Sequence, residues 1–162
     1  MPSTIPAIAK TAIFTLFIPG TVAGYIPWRL RDNNQVIPYN FEAGFAIALI
    51  ATGIAIYFHT AFWGFAAIGK GTPAPIDPPK TLVVRGLHRY VRNPMYIGVL
   101  LVIAGQAWLF WSRGIAIYAL CVAAVFHVWV LIYEEPALKK QFGEEYERYK
   151  ASVPRWIPKL RL

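Results

Sequence analysis

The sequence predicts an all-α, polytopic membrane protein with about four transmembrane helices and a C-terminal amphipathic helix at the interface. Three observations carry this. Of 162 residues, 57% are hydrophobic and only 15% are charged, against roughly 25% charged in an average soluble domain. The charged residues leave four long gaps, at 11–28, 43–69, 93–112 and 114–133. Each gap is close to the roughly 20 apolar residues that cross a hydrocarbon core about 30 Å thick. Finally, the net charge of +8 sits outside the gaps, which on so apolar a chain points to a lipid surface rather than to nucleic acid.

The first gap is interrupted by Pro19, Gly20 and Gly24, with Lys10 near its start. Its short apolar run before Thr21, Val22 and Ala23 also has the form of a signal peptide; it is read here as an uncleaved span. The second gap is longer than a crossing needs and is expected to tilt or reach into the headgroups. The third and fourth are joined by little more than Ser112, Arg113 and Gly114, so they form an antiparallel hairpin. Ala119 and Ala123 are spaced to let a neighbouring helix approach. Asn93–Pro94 suits the start of the third span, with Asn as N-cap and Pro in the first turn. Residues 1–162 are read as a single membrane domain, with N-terminal spans in 1–69 and the chemistry in 70–162.

Lys and Arg set the orientation. Segment 70–92 and the tail after residue 133 share one side and hold twelve of the 16 basic residues, whereas the opposite loops hold Arg29, Arg31 and Arg113. Both termini are therefore expected in the cytoplasm, with Trp28 and Trp111 at the outer interface. Four prolines in 71–80 make an extended connector. In the tail, Leu138, Phe142, Tyr146, Tyr149 and Val153 step by four, four, three and four. That is one face of a helix lying on the membrane or capping the bundle, and Pro154 and Pro158 end it.

The candidate chemistry lies beside the hairpin. Glu134 and Glu135 stand at the end of the fourth span, where Lys or Arg is the cheaper choice, so they are expected to face a partner, a cavity or a substrate path. Arg92 begins the third span on the same side and can meet them. An ion pair closing the bundle accounts for the same residues. His59 and His127 fall inside spans and are read as buried, hydrogen-bonded side chains. The three histidines lack metal-ligand spacing, Cys121 is alone, and no phosphate-binding glycine loop or nucleophile elbow is present, so no metal is expected.

The segments Arg-Tyr-Val-Arg-Asn-Pro-Met-Tyr-Ile-Gly (89–98), Glu-Glu-Pro-Ala-Leu-Lys-Lys-Gln-Phe-Gly-Glu-Glu-Tyr-Glu-Arg-Tyr-Lys (134–150) and Val-Pro-Arg-Trp-Ile-Pro (153–158) resemble the isoprenylcysteine carboxyl methyltransferase family. They are also similar to the related phospholipid N-methyltransferases. The resemblance covers about half the chain, in order and around one hairpin. It implies an integral membrane methyltransferase that uses S-adenosylmethionine and methylates a lipidic or prenylated acceptor. The family's Arg-His-Pro-x-Tyr-x-Gly motif and Glu-Glu pair map onto Arg92, Asn93, Pro94, Tyr96, Gly98, Glu134 and Glu135. On that basis Arg92 and Glu134 are the candidate catalytic residues. Tyr90, Asn93, Pro94, Tyr96, Gly98 and Glu135 are candidates for the cofactor, and His88 and Arg155 for the acceptor. Asn93 replaces the motif's histidine, and an amide does not titrate, which counts against a general base there. Membrane sterol reductases that use NADPH have a similar tail, though they resemble longer chains with more spans. A small scaffold binding anionic lipid is the non-enzymatic alternative. Carboxylate, amine and hydroxyl acceptors all remain open at this point.

Overall fold

The computed structural model describes residues 4–31, 41–68 and 81–159; the connector at 71–80 lies outside them. Every regular element among the described residues is helical. Helix α1 (Thr4–Pro19) runs through a π-helical turn (Gly20–Tyr25) into α2 (Ile26–Leu30). Helix α3 (Phe41–Phe58) continues as a π-helix, His59–Ile68. A 3-10 turn (Gly86–Arg89) precedes α4 (Pro94–Leu109) and α5 (Arg113–Trp129). A π-helical turn (Val130–Glu134) then leads into α6 (Glu135–Ser152).

Three of these runs are long and apolar enough to cross a membrane, and α4 is a shorter apolar helix of 16 residues. The polytopic all-α expectation is borne out. The third span, however, is about 24 Å long by helical rise, against a core of about 30 Å. It starts at Pro94, whose ring disfavours helical geometry at Asn93, and the two residues before it are tied to the tail: the Arg92 amide donates to the Pro154 carbonyl at 2.9 Å, and the Asn93 side chain to the Arg155 carbonyl at 3.2 Å. Asn93 does take the N-cap position before Pro94, but its side chain does not cap the helix. The run that begins at Arg113 is 40 residues long, twice a crossing, so α5 and its π turn form the span and α6 lies beyond it.

Glycines and small residues bring α3 against α4. A Cβ on Gly53 would sit 2.5 Å from the Gly98 carbonyl oxygen, and one on Gly105 would sit 2.9 Å from the Ala46 carbonyl oxygen. Around this crossing lie Tyr57, Ala61, Val99, Ile103, Ile115 and Val122, all buried. The outer surface is apolar instead: Leu16, Leu120 and Ile132 are 70%, 73% and 74% exposed, as expected where the solvent is lipid. The break at Pro19–Gly24 is absorbed by π winding, and its displaced carbonyls find side-chain donors. Tyr118 donates to Val22 at 2.9 Å and Gln106 to Ala23 at 2.7 Å. At the far end of the bundle, Ser112 caps α5 and also donates to the Leu30 carbonyl. The Arg31 guanidinium lies over the Trp28 and Phe110 rings there.

The tail helix departs from the straight amphipathic helix expected. Gly143 has φ 54° and ψ −127°, a conformation open to glycine alone, and α6 bends sharply there. Lys150 consequently reaches Glu135 at 3.5 Å and Lys139 reaches Glu147 at 3.0 Å. In a straight helix, residues 135 and 150 would be about 22 Å apart along the axis. The expected stripe still closes on itself, with Tyr146, Tyr149 and Val153 buried against Leu82, Leu138 and Phe142. The bend turns that stripe into the inside of a cap on the segment before α4, where Tyr149 donates to the His88 carbonyl and Tyr146 approaches Arg92.

The close crossing gives a stability prediction. Gly53→Ala is expected to lower the thermal midpoint in detergent, by about 1–3 kcal/mol of stability, because the new methyl meets backbone that cannot move aside. Gly44→Ala, in the same helix with open space around it, is expected to be neutral or slightly stabilising.

Candidate active site

The site forms where the ends of α4, α5 and the tail meet. Neighbouring residues on a helix point about 100° apart, so the two glutamates serve different neighbours. Glu134, closing the π turn, faces α4 and accepts the Tyr96 hydroxyl at 2.8 Å on Oε2. Glu135 faces the tail. Its Oε1 takes Arg92 Nη1 at 2.8 Å and Arg155 Nε at 2.6 Å, and its Oε2 takes Arg155 Nη2 at 3.1 Å with Lys150 Nζ at 3.5 Å. Arg92 and Glu135 side chains are only 10% and 8% exposed. The expectation that Arg92 and the glutamates meet therefore holds for Glu135 by direct contact. Burial raises the Glu135 carboxyl, but the Arg155 hydrogen bond and the Arg92, Arg155 and Lys150 charges outweigh it and hold it below the usual carboxylate range.

A narrow cleft of about 30 Å³ lies between these groups. Arg92, Asn93, Glu134, Glu135, Tyr146 and Tyr149 line it, with Val130 and Leu138 as apolar walls. Arg92 also approaches the Tyr146 hydroxyl at 3.4 Å, and its Nε is buried without a hydrogen-bond partner.

Of the residues singled out from sequence, Arg92, Asn93, Glu134 and Glu135 line this cleft, and Tyr96 borders it through Glu134. Pro94 is buried at the start of α4, and Gly98 packs on the α3 backbone at Gly53. Tyr90 lines a separate groove with Val84, Arg89, Ser152 and Val153. Arg155 lies on Glu135, so its guanidinium is engaged by the protein itself. His88 is buried beside Gly64, and its carbonyl accepts the Tyr149 hydroxyl at 2.8 Å.

The reading of His59 and His127 as buried is corrected: both are exposed on the outer faces of their helices. There the rings are held by aromatic neighbours. His59 stacks on Trp63 at 4.9 Å, and His127 accepts the Trp156 indole at 3.0 Å. Sequence reasoning missed Lys150 and Trp156 as parts of the site and gave Tyr146 a packing role alone. The available signal was Gly143, a glycine in mid-stripe where a bend returns the end of α6 to its start.

Fold and site together define a polytopic helical membrane protein with one acidic, basic and aromatic cleft at the end of a helical hairpin. The chain belongs to the phospholipid methyltransferase family, whose model matches residues 42–145. A methanethiol S-methyltransferase of Crocosphaera subtropica is 29% identical over 163 aligned positions, covering 96% of this chain and 60% of that protein. Methanethiol S-methyltransferase 1 of Bradyrhizobium diazoefficiens is 23% identical, covering 96% and 54%. The protein-S-isoprenylcysteine O-methyltransferase of Homo sapiens is 33% identical over 91 positions, covering 50% and 28%. The chain thus spans between half and three-fifths of the length of the two methanethiol S-methyltransferases.

Burial, and next the nearby His59, push the His88 imidazole down from 6.5 to about 4. As pH falls, the unfolded chain takes the proton first, so stability is expected to decline between about pH 6.5 and pH 4. Thermal midpoints measured across this range should show the slope in the unaltered protein and lose it in His88→Gln. Glu135 adds its own loss only at lower pH, as its depressed folded-state value is reached.

Proposed function

We propose that the protein is an S-adenosylmethionine-dependent methyltransferase acting on an apolar, membrane-soluble acceptor at the cytoplasmic face. The observation that carries this reading is the cleft itself, where Arg92, Glu134 and the tyrosines converge at the end of the hairpin. Its donor set suits the cofactor. The buried, unpartnered Nε of Arg92 suits a carboxylate. Glu134, oriented by Tyr96, suits the ammonium or a ribose hydroxyl. Aromatic faces at Tyr96 and Tyr146 suit a cationic sulfonium. When bound, S-adenosylmethionine supplies an electrophilic methyl group.

The chain's own contribution is alignment and exclusion of water. Arg92 and Glu134 fix the polar ends of the ligands, and Val130 and Leu138 dry the cleft. An acceptor that arrives as an anion needs no general base in this cleft. Of two relatives' names, one specifies an oxygen of isoprenylcysteine and the other a sulfur of methanethiol; a carboxylate oxygen would arrive charged, whereas a thiol is mostly protonated at neutral pH and would have to lose its proton at the site. Tyr96, packed on Phe126 at 4.6 Å and beside Trp156, lies between Glu134 and the lipid-facing His127 edge of α5. This makes it the side from which an apolar acceptor approaches. The basic segments around the site support a cytoplasmic placement.

Calorimetric titration of the detergent-purified protein with S-adenosylhomocysteine tests the reading. Binding is expected, weakened about 10- to 100-fold in Glu134→Gln as a charged hydrogen bond is lost. Labelled methyl transfer is expected to methanethiol or to a prenylcysteine analogue, and to exceed transfer to a short hydrophilic carboxylate. No binding by the unaltered protein in detergent or in native lipid would remove the cofactor assignment.

A further inference from the structure

We propose that Glu135 is a positioning residue: through Arg155 it ties the C-terminal strap, residues 153–159, beside the cleft along the start of α4, and Glu134 is the carboxylate of the pair that meets the ligand. The division of labour rests on the methyltransferase reading; the tie itself does not. Both oxygens of Glu135 are already filled by protein cations, two of them from the α6 return and the strap. Glu134 accepts one hydrogen bond among the described residues, from Tyr96.

The strap is fastened along its length to the segment that opens α4. Pro154 accepts the Arg92 amide, the Arg155 carbonyl accepts Asn93, and the Lys159 amide donates to Tyr90 at 3.0 Å. Its next residue, Trp156, reaches the other way, bonding His127 and lying 6.4 Å from the Tyr96 ring. A continuous set of contacts therefore runs from Glu135 through Arg155 and Trp156 to Tyr96, and from Tyr96 to Glu134. Releasing Arg155 frees Trp156 from the ring that orients the ligand-facing carboxylate. Arg155 is the better residue to alter, because its side chain is 24% exposed, whereas loss of Glu135 leaves a buried Arg92 unpaired.

Two readouts test the proposal on the full chain in detergent. The first needs no ligand: the rate at which chymotrypsin cleaves after Trp156, followed by mass. Arg155→Gln and Glu135→Gln are expected to speed this cleavage at least about fivefold, with Arg155→Lys in between because it keeps the charge and loses the fork. Glu134→Gln is expected to match the unaltered protein. Cleavage of Arg155→Gln at the unaltered rate would overturn the tie, whatever ligand the protein binds.

The second readout is S-adenosylhomocysteine affinity in a double-mutant cycle. Arg155→Gln is expected to weaken binding about tenfold, and the Glu135→Gln/Arg155→Gln double variant to fall within about twofold of the weaker single. Losses that multiply would show Glu135 touching the ligand directly and overturn the division of roles. A protein that binds no S-adenosylhomocysteine at all fails the functional reading instead, while the cleavage experiment still decides the tie.

Discussion

A nearly buried carboxylate needs compensating charge close by, and Glu135 draws that charge from three places in the chain. Arg92 comes from the segment before α4, Lys150 from the end of α6, and Arg155 from the strap. Left alone in low dielectric, such a group would cost several kcal/mol or give up its charge. Satisfying it fixes the shape of this end of the molecule. Helix α6 must fold back for Lys150 to arrive, and Gly143 supplies the one backbone conformation that permits it. The strap lies along the segment that leads into α4, bonded to Tyr90, Arg92 and Asn93.

The opposite requirement governs the membrane half. There no water is available, so every displaced backbone carbonyl needs a donor from the protein. The weak first helix, with its proline and glycines, is repaired by Gln106 and Tyr118 reaching over from the α4–α5 hairpin. Thr15 and Tyr57, 2.9 Å apart, fasten α1 to α3. The glycine contacts then let α3 and α4 approach at backbone distance. The N-terminal helices thus hold both helices of the hairpin that presents the candidate site.

Much of this was legible because it follows from composition and position. Charge-free gaps mark spans whatever their packing, and two glutamates at the end of an apolar run stand out against the energetic preference for Lys and Arg. Arg92 could be paired with them from hairpin geometry alone. What escaped depends on contacts distant in sequence. Periodicity places Leu138, Phe142, Tyr146, Tyr149 and Val153 on one face, and a single bend at Gly143 keeps that face while reversing the direction of the chain. The histidines escaped for a different reason. In water a histidine in an apolar run is read as buried, but a ring beside Trp63 or Trp156 can face outward when the surroundings are lipid. Arg155 was read as facing an acceptor because nothing in its own neighbourhood reveals that Glu135 already holds it.

The short α4 links the fold to the proposed chemistry. Were Trp28 and Trp111 at the far interface, as the distribution of basic residues leads one to expect, a helix of about 24 Å would end roughly one turn short of a core about 30 Å thick. The longer α5 continues past it to Glu134 and Glu135. The cleft then lies at a step: α4 stops within the apolar layer while α5 and the folded tail stand above it. On the proposed reading, a water-borne cofactor would meet the charged wall at Arg92 and Glu134. An apolar acceptor would reach the same cleft from the lipid side, past Tyr96 and Phe126. Methyl transfer between such partners would require both in one dry place, and a helix one turn short would let them meet there.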